Sequence, residues 1–482
     1  VNWGLLKVLG NRENNEFGFV EYRLVMNVNV VSDLIILVFR CINSLVLLGA
    51  VVGGSEKFPS SVNEKEHLQG IWSLQKRLIE DISSRNRTHF TTLIMKISHP
   101  IYITSDDCGY CHHTKQSPSH TIGFHSYTLT CHEYDSLIQL GFRRSGSFVY
   151  KMDLLRTCCP MYTIRTSIRL FKPNKEQRKD VKKFGRGIGV ELTYDSLMNA
   201  IRDDEIIIGD MRIKMASNRF TQEKYGLFQK YQKVIHDDEA SVKGFKSFLC
   251  ESPLNESSSD SKEIDTSPHG TRLGSFHQCY YYKDQLIALA VLDVLPSGLS
   301  SVYFIYDPEY KPLSLGKVSA LMEMKLSEQL GLNWYYMGYY IQDCHKMRYK
   351  SKFGGQLLNP WDMKFVPFHE TEGFWCMKDG EDITESEYGE DGLAFQRGKE
   401  ALRNLKQIGI EYKGGKHNLP VVVPGVMELG DIIPLLPTMK LRVELYEVME
   451  VGVLQLVDKY QRICIDLMRV LGRELFEKCI LA

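Results

Sequence analysis

Neither sign of charge is in excess in this sequence: 59 Lys and Arg residues stand against 59 Asp and Glu. That balance excludes a chain basic over its whole length, so any nucleic-acid contact has to be a local patch. A spread disulfide framework is missing too. The twelve cysteines include a Cys-x-x-Cys at Cys108 and Cys111 and an adjacent pair at Cys158 and Cys159, an arrangement that suits metal thiolates in a reducing compartment, the cytosol or nucleus. No long apolar run is unbroken: the stretch 34–54 carries Arg40 and Asn43. A central Arg costs about 2.5–3.5 kcal/mol on insertion scales, so a membrane association is not expected. The first hundred residues hold no readable motif and open on Val1 rather than Met. Residues 1–100 are therefore left as an unassigned, partly apolar leader, an opening compatible with a fragment or a misassigned first exon.

What is present is globular in character. A chain of 482 residues, 43% apolar and 24% charged, is too long for one ordinary core and implies more than one domain. Residues 101–185 are rich in Cys and His and end in a basic stretch, where Lys175, Lys179, Lys182 and Arg186 recur at helical spacing between Pro173 and the stops Gly185 and Gly187. Residues 186–214 read as a linker. An amphipathic helix is expected over 216–236, from Tyr225, Phe228, Tyr231 and Val234 or Ile235, and a Ser-, Asp- and Pro-rich mobile loop over 251–270. Apolar runs at 286–295 and 301–306, joined by Pro296, Ser297 and Gly298, predict a hairpin. Leu315, Val318, Leu321, Met322 and Leu326 then give a helical stripe, and WYYMGYYI from Trp334 gives another strand. Strand, helix, strand is a crossover, so residues 215–370 are expected to form an α/β domain with a mixed sheet. From 371 to 482 the expectation is an acidic linker and a helical region, with one amphipathic helix over 443–481.

Several groups could carry chemistry. Four thiolates at Cys108, Cys111, Cys158 and Cys159 suffice for tetrahedral zinc or an iron-sulfur cluster. Cys108, Cys111, His125 and His132 make a rival zinc set, and His112, His113 and His120 are further donors. His277 and Gln278 precede the hairpin and Asp293 lies within it, so the three are candidates for one catalytic pocket: Asp293 to pair a guanidinium or position an amine, His277 as a base. Ser314 and Gly316 open a helix after a strand, where free N–H groups favour a phosphate. The run CHKMRYKSK, with Lys346, Tyr349 and Lys350, has the charge and aromatic mix of a nucleic-acid contact.

The strings DDCGYC, GFRRSGSFVYK, TCCPMYTIR, NRFTQEKYGLFQKYQKVIH, GSFHQCYYYKDQLIALAVLDVLPSGLSSVYFIYDPEYKPLSLG and YYMGYYIQDCHKMRYKSKFGGQLL resemble those of the eukaryotic arginyl-tRNA:protein transferases over about half the chain, residues 105–185 and 215–370. The resemblance implies arginine transfer from Arg-tRNA to the amino terminus of proteins beginning with Asp, Glu or oxidised Cys, which marks them for ubiquitin-dependent degradation. It implies that the four cysteines hold zinc or an iron-sulfur cluster, and that the carboxy-terminal half is similar to the acetyltransferase-like fold. Lys346, Tyr349 and Lys350, with Lys175, Lys179, Lys182 and Lys183 of the basic helix, are then expected to contact tRNA, and Arg143, Arg144 and Arg165 to select an acidic acceptor. No DNA partner is expected. Cys279 stands where relatives carry a second Gln. Two rivals arise from the residues alone: a non-catalytic zinc-finger RNA binder and an acetyl-CoA-dependent N-acetyltransferase.

Overall fold

The near-continuous apolar run after Gln285 becomes β11 (Gln285–Val294), buried from Leu286 onward, as befits a strand covered on both faces. The computed structural model describes residues 95–482 apart from 112–113, 116, 203–204, 255–272, 372–391, 414–417 and 445–447. β11 lies within a ten-stranded sheet ordered β15 (Phe365–Pro367), β14 (Gln356–Leu358), β6 (Tyr162–Ser167), β13 (Trp334–Tyr340), β12 (Gly298–Tyr306), β11, β10 (Gly274–Tyr282), β9 (Met211–Ser217), β8 (Glu205–Ile208) and β7 (Ile201–Arg202). β10, β11 and β12 are antiparallel neighbours, and Lys283 and Asp284 take positive φ in the tight turn between the first two. From β12 the chain crosses through α6 (Leu315–Gln329) to β13, which pairs with β12 in parallel. The predicted crossover is there, and the fold is mixed α/β with mixed sheets.

A second sheet has eight strands: β17 (Val448–Gly452), β16 (Lys440–Glu444), β18 (Cys479–Leu481), β1 (Met95–Ile97), β3 (Ser119–Thr128), β5 (Phe148–Met152) and β4 (Arg143–Ser145) in order, with β2 (Ile101–Ser105) also on β3. The basic stretch forms α2 (Lys175–Gly187), started by a reciprocal cap between Asn174 and Gln177. The predicted helix over 216–236 is α4 (Gln222–Tyr231), capped by Thr221, with a π-turn to His236; Ala216 and Ser217 belong to β9.

Three expectations change. Residues 186–214 hold α3 (Tyr194–Ala200) and β7 to β9, which extend the larger sheet; EIII and MRIKMAS alternate buried with less buried positions, the period of a strand. Residues 443–481 do not form one helix. Val443 pairs with Met449 across β16 and β17, α9 occupies Asp458–Phe476, and β18 closes the chain, because the run KLRVE alternates charged and apolar residues with the period of a strand. The sheets also cross the expected domain limits: β6 joins the larger sheet beside β13, while β16 and β18 share a sheet with β1. The apolar stretch 34–54 and most of the predicted loop 251–270 lie outside the described residues. Among those described, no helix is long and apolar enough to cross a membrane.

Candidate active site and metal centre

Loops at the ends of β2 and β5 bring the thiols together. Cys108 and Cys111 follow β2, Cys158 and Cys159 follow β5, and all four Sγ atoms lie within 4.8 Å of one another. The Cys111 and Cys158 sulfurs are 3.8 Å apart. Burial, then the neighbouring thiols, pushes Cys158 up to about 12 and Cys159 higher still, so several thiolates share this space only around a cation. A tetrahedral zinc with bonds of about 2.3 Å has sulfur edges of about 3.8 Å, and the donor set fits it. His125 and His132 are not part of the cluster. His120 stacks on Tyr102 at 5.5 Å and meets the Thr104 hydroxyl at 3.2 Å; His112 and His113 lie outside the described residues.

The second feature is a parting of strands. β12 and β13 pair only over Gly298–Ser300 and Trp334–Tyr336. Beyond that point β12 stays with β11, while β13 shifts register against β6 around Gly338 (φ 84°). An isolated Gly inside a strand run is the sequence signal of such an irregularity. Arg143 of β4 reaches the root of the gap, its Nη2 3.5 Å from the Ser301 carbonyl, and Lys350 donates to the Tyr339 carbonyl at 2.7 Å. Burial, then Arg143 beside it, draws Lys350 down to about 7.

The predicted catalytic residues do not converge on this gap. Asp293 is fully buried and held in two bonds by Arg144, Nη2 to Oδ1 at 2.6 Å and Nε to Oδ2 at 2.8 Å, with the Ser275 hydroxyl donating at 2.6 Å. It is therefore closed to a substrate guanidinium, and Arg144 is closed to a substrate carboxylate. His277 is fully buried, its Nε2 2.8 Å from the Leu249 carbonyl; burial, then Lys224, draws it down to about 4, so it is neutral and away from solvent. Gln278 accepts from the Tyr280 hydroxyl at 2.7 Å in the sheet interior. Arg165 is stacked between Trp334 and Phe365, 3.6 Å and 3.7 Å from the ring centres. Of the three predicted arginines, Arg143 alone stands at the gap.

The predicted phosphate-contacting residues divide in the same way. Ser314 takes a left-handed conformation before α6 and makes no side-chain cap, and Gly316 has open space above it apart from Phe304 at 3.9 Å. α2 docks beside this helix start, where Lys317 meets Glu176 at 2.9 Å and Asp180 at 3.1 Å, and Lys352 meets Glu176 at 2.6 Å. Lys175, Lys179, Lys182 and Lys183 are left exposed on α2, as is Lys346. Tyr349 is half-buried. Lys350 is buried and has no place in a surface contact to tRNA; it lies in a 3-10 turn, Arg348–Phe353, that turns it inward together with Phe353.

Sequence reasoning also passed over Glu323, fully buried on α6, where it accepts from the Tyr335 hydroxyl at 2.7 Å. An apolar helical stripe gives no sign of a carboxyl within it. Burial pushes Glu323 up to about 7. The folded value exceeds the unfolded one, so the associated stability is full at low pH and is lost as pH rises through 7, by about 1.4 kcal/mol per pH unit between the two values. The midpoint of thermal unfolding is expected to fall more steeply between pH 5 and 7 in the wild type than in Glu323→Gln; parallel curves would contradict this.

Comparison with known proteins finds two segments of the chain in one family. Residues 106–179 match the family described as arginine-tRNA-protein transferase, N terminus, and residues 223–359 match its C terminus. Arginyl-tRNA--protein transferase 1 of Saccharomyces cerevisiae is 32% identical over 481 residues, covering 78% of this chain and 95% of that protein. The protein of the same name from Drosophila melanogaster is 28% identical, covering 54% of this chain and 80% of that one. An aspartate/glutamate leucyltransferase of Pseudomonas fluorescens is 27% identical, covering 47% and 80%.

Proposed function

Because the chain belongs to the arginyl-tRNA--protein transferase family, we propose that it is the aminoacyltransferase that moves arginine from Arg-tRNA to the N-terminal α-amine of proteins beginning with Asp, Glu or oxidised Cys, and that the gap between β12 and β13 is where it does so. The product carries an N-terminal arginine and serves as a degradation signal for the ubiquitin pathway. The observation that carries the site is the parting of two parallel strands, which frees a strand edge in an otherwise continuous sheet. It supports an acetyltransferase-like use of the fold, with the activated acyl group laid between the strands.

An aminoacyl ester is already activated. The acceptor nitrogen attacks the ester carbon, the ester bond to the terminal ribose breaks as the new amide bond forms, and the proton lost by nitrogen is balanced by the one gained by the ribose oxygen. The protein's share is to hold both reactants in line. The helix start at Ser314 and Gly316 and the exposed lysines of α2 lie on neighbouring elements, α6 and α2, which supports one path for the tRNA 3' end and stem. The thiol cage would hold zinc or a cluster that ties the loop after β2 to the loop after β5, and its small span favours a single ion. Cytosol or nucleus is the compartment that suits free thiols.

Transfer of labelled arginine from Arg-tRNA to a peptide beginning with Asp tests the whole proposal, and acetyl transfer from acetyl-CoA in its place would overturn it. The tRNA path has its own test. Replacing Lys175, Lys179, Lys182 and Lys183 with Ala is expected to reduce the slope of log K against log salt by about 0.7–0.9 for every phosphate that a lysine had neutralised. An unchanged slope would return α2 to an ordinary solvated face.

A further inference from the structure

Arginine transfer carries a proton from the acceptor nitrogen to the ribose oxygen, and one buried acid stands behind the proposed gap. Glu323, within α6, is 1% exposed. Three hydroxyls converge on its carboxyl: Tyr335 of β13 donates at 2.7 Å, and Ser301 of β12 and Ser319 of α6 are hydrogen-bonded to it as well. Ser301 is the first residue of β12 beyond its pairing with β13. Tyr335 and Ser319 are buried while Ser301 is only half-buried, so the Ser301 hydroxyl is the one that opens on the gap. Ser319 donates to the Gly316 carbonyl at 3.2 Å, in the helix turn beside the proposed path of the tRNA 3' end. The other titratable groups facing Glu323 are Tyr280 of β10 and Tyr349 of the 3-10 turn. No cation is among them. An amide here would also accept from hydroxyls and could not ionise, so the fold forgoes stability above neutrality to keep an acid at this point.

We infer that Ser301 and Glu323 form a proton relay for the transfer, in which the Ser301 hydroxyl touches the acceptor nitrogen and the Glu323 carboxylate behind it stores the proton. The inference rests on the transferase function proposed above. As the nitrogen bonds to the ester carbon it gives a proton to Ser301 Oγ, whose own proton passes to Glu323. When the bond between that carbon and the ribose oxygen breaks, the path runs backward and the proton ends on the ribose oxygen. Both side chains are regenerated and nothing else is consumed. Ser301 is the catalytic residue of the pair, Glu323 acts through it, and Tyr335 and Ser319 fix the position of the carboxyl. Burial, against the hydroxyl bonds that oppose it, pushes Glu323 up to about 7. A peptide α-amine titrates at about 7.7–8.0, and groups so closely matched exchange a proton in either direction at little cost.

The test is the single-turnover rate of transfer by the full chain, from labelled Arg-tRNA to a saturating peptide beginning with Asp, followed from about pH 5 to about pH 8. In the wild type the acceptor amine and Glu323 must both be unprotonated, so the slope of log rate against pH should steepen toward about 2 on the acid side. Glu323→Gln is expected to lose about a hundredfold in rate near neutrality and to keep a slope of only about 1, the amine's own. Its KM for the peptide and for Arg-tRNA should stay within about twofold of the wild type. Ser301→Ala should match it in rate and slope, and the double variant should be no slower than either single, as for groups that act as a unit. Ser301→Thr, which keeps a hydroxyl, should restore both. A carboxyl that only ties α6 to β13 would lower the rate and leave the slope intact. A slope of about 2 retained by Glu323→Gln therefore overturns the inference, as does a wild-type rate in Ser301→Ala. If melting curves show Glu323→Gln unfolded, Ser301→Ala and Ser301→Thr decide the matter alone. Absence of any arginine transfer by the wild type removes the proposed function itself, whereas transfer with either overturning result leaves it standing.

Discussion

Arg144→Ala is expected to cost about 3–5 kcal/mol of stability, enough to leave much of the chain unfolded at 37 °C. Arg144 extends from β4 of the eight-stranded sheet, and its guanidinium meets Asp293 on β11 and Ser275 on β10 of the larger sheet, together with the carbonyls of Gly146 and Glu251. Removing it leaves a fully buried carboxylate with only a serine hydroxyl. The reverse change, Asp293→Ala, strands a buried guanidinium and should cost a similar amount. The physical signature is non-additivity. Arg144→Ala combined with Asp293→Ala removes both charges, and it is expected to lose less than the sum of the two single changes. Denaturant midpoints of the two singles and the double measure this. Singles that each cost under about 1 kcal/mol would show that the pair is solvated and not the clamp between sheets described here.

That pair also shows where the sequence stops being legible. Arg143 and Arg144 are adjacent in one motif, and nothing in the string separates their roles. Neighbours in a strand point to opposite faces: Arg144 meets Asp293, while Arg143 goes to the gap between β12 and β13. Lys350 misled for a related reason. A charged run normally reads as a solvated face, but here it is wound into a 3-10 turn, in which positions three apart eclipse, and Lys350 and Phe353 turn inward together. The crossover from β12 through α6 to β13 was legible because each element repeats its own period for long enough. The carboxy-terminal strands were not, because β16, β17 and β18 are three to five residues each and flank a strongly amphipathic helix. The bunching of Cys108, Cys111, Cys158 and Cys159 was read from spacing, and the four sulfurs do meet. Their meeting depends on β3 and β5 being neighbours in register, which no local pattern encodes.

Loss of the metal is the change expected to have the largest effect on activity. Cys108 and Cys111 sit in the loop after β2, and Cys158 and Cys159 in the loop between β5 and β6. β5 pairs with β4, which carries Arg143, and β6 pairs with β13, which carries Gly338. The cage therefore adjoins β6, the neighbour of one wall of the proposed reaction gap, and β5, the neighbour of the strand that carries Arg143. With a cation bound, four thiolates are held at one point; without it, burial and their mutual repulsion favour four protonated thiols that no longer share a ligand. Cys159→Ala is expected to lose the metal and at least a hundredfold in arginine transfer together. Limited proteolysis should then cut within residues 105–118, where the wild type resists, so that loosening of the loop is read without reference to activity. Metal analysis of the purified wild type distinguishes the two occupants: one zinc per chain for a closed tetrahedral site, or iron with acid-labile sulfide and visible absorption for a cluster. Because all four sulfurs lie within 4.8 Å of one another, zinc is the expected result, since the iron atoms of a cluster stand between the thiolates and need a wider cage. Full transfer activity in a protein shown to be metal-free would end the assignment of these cysteines to a working metal centre.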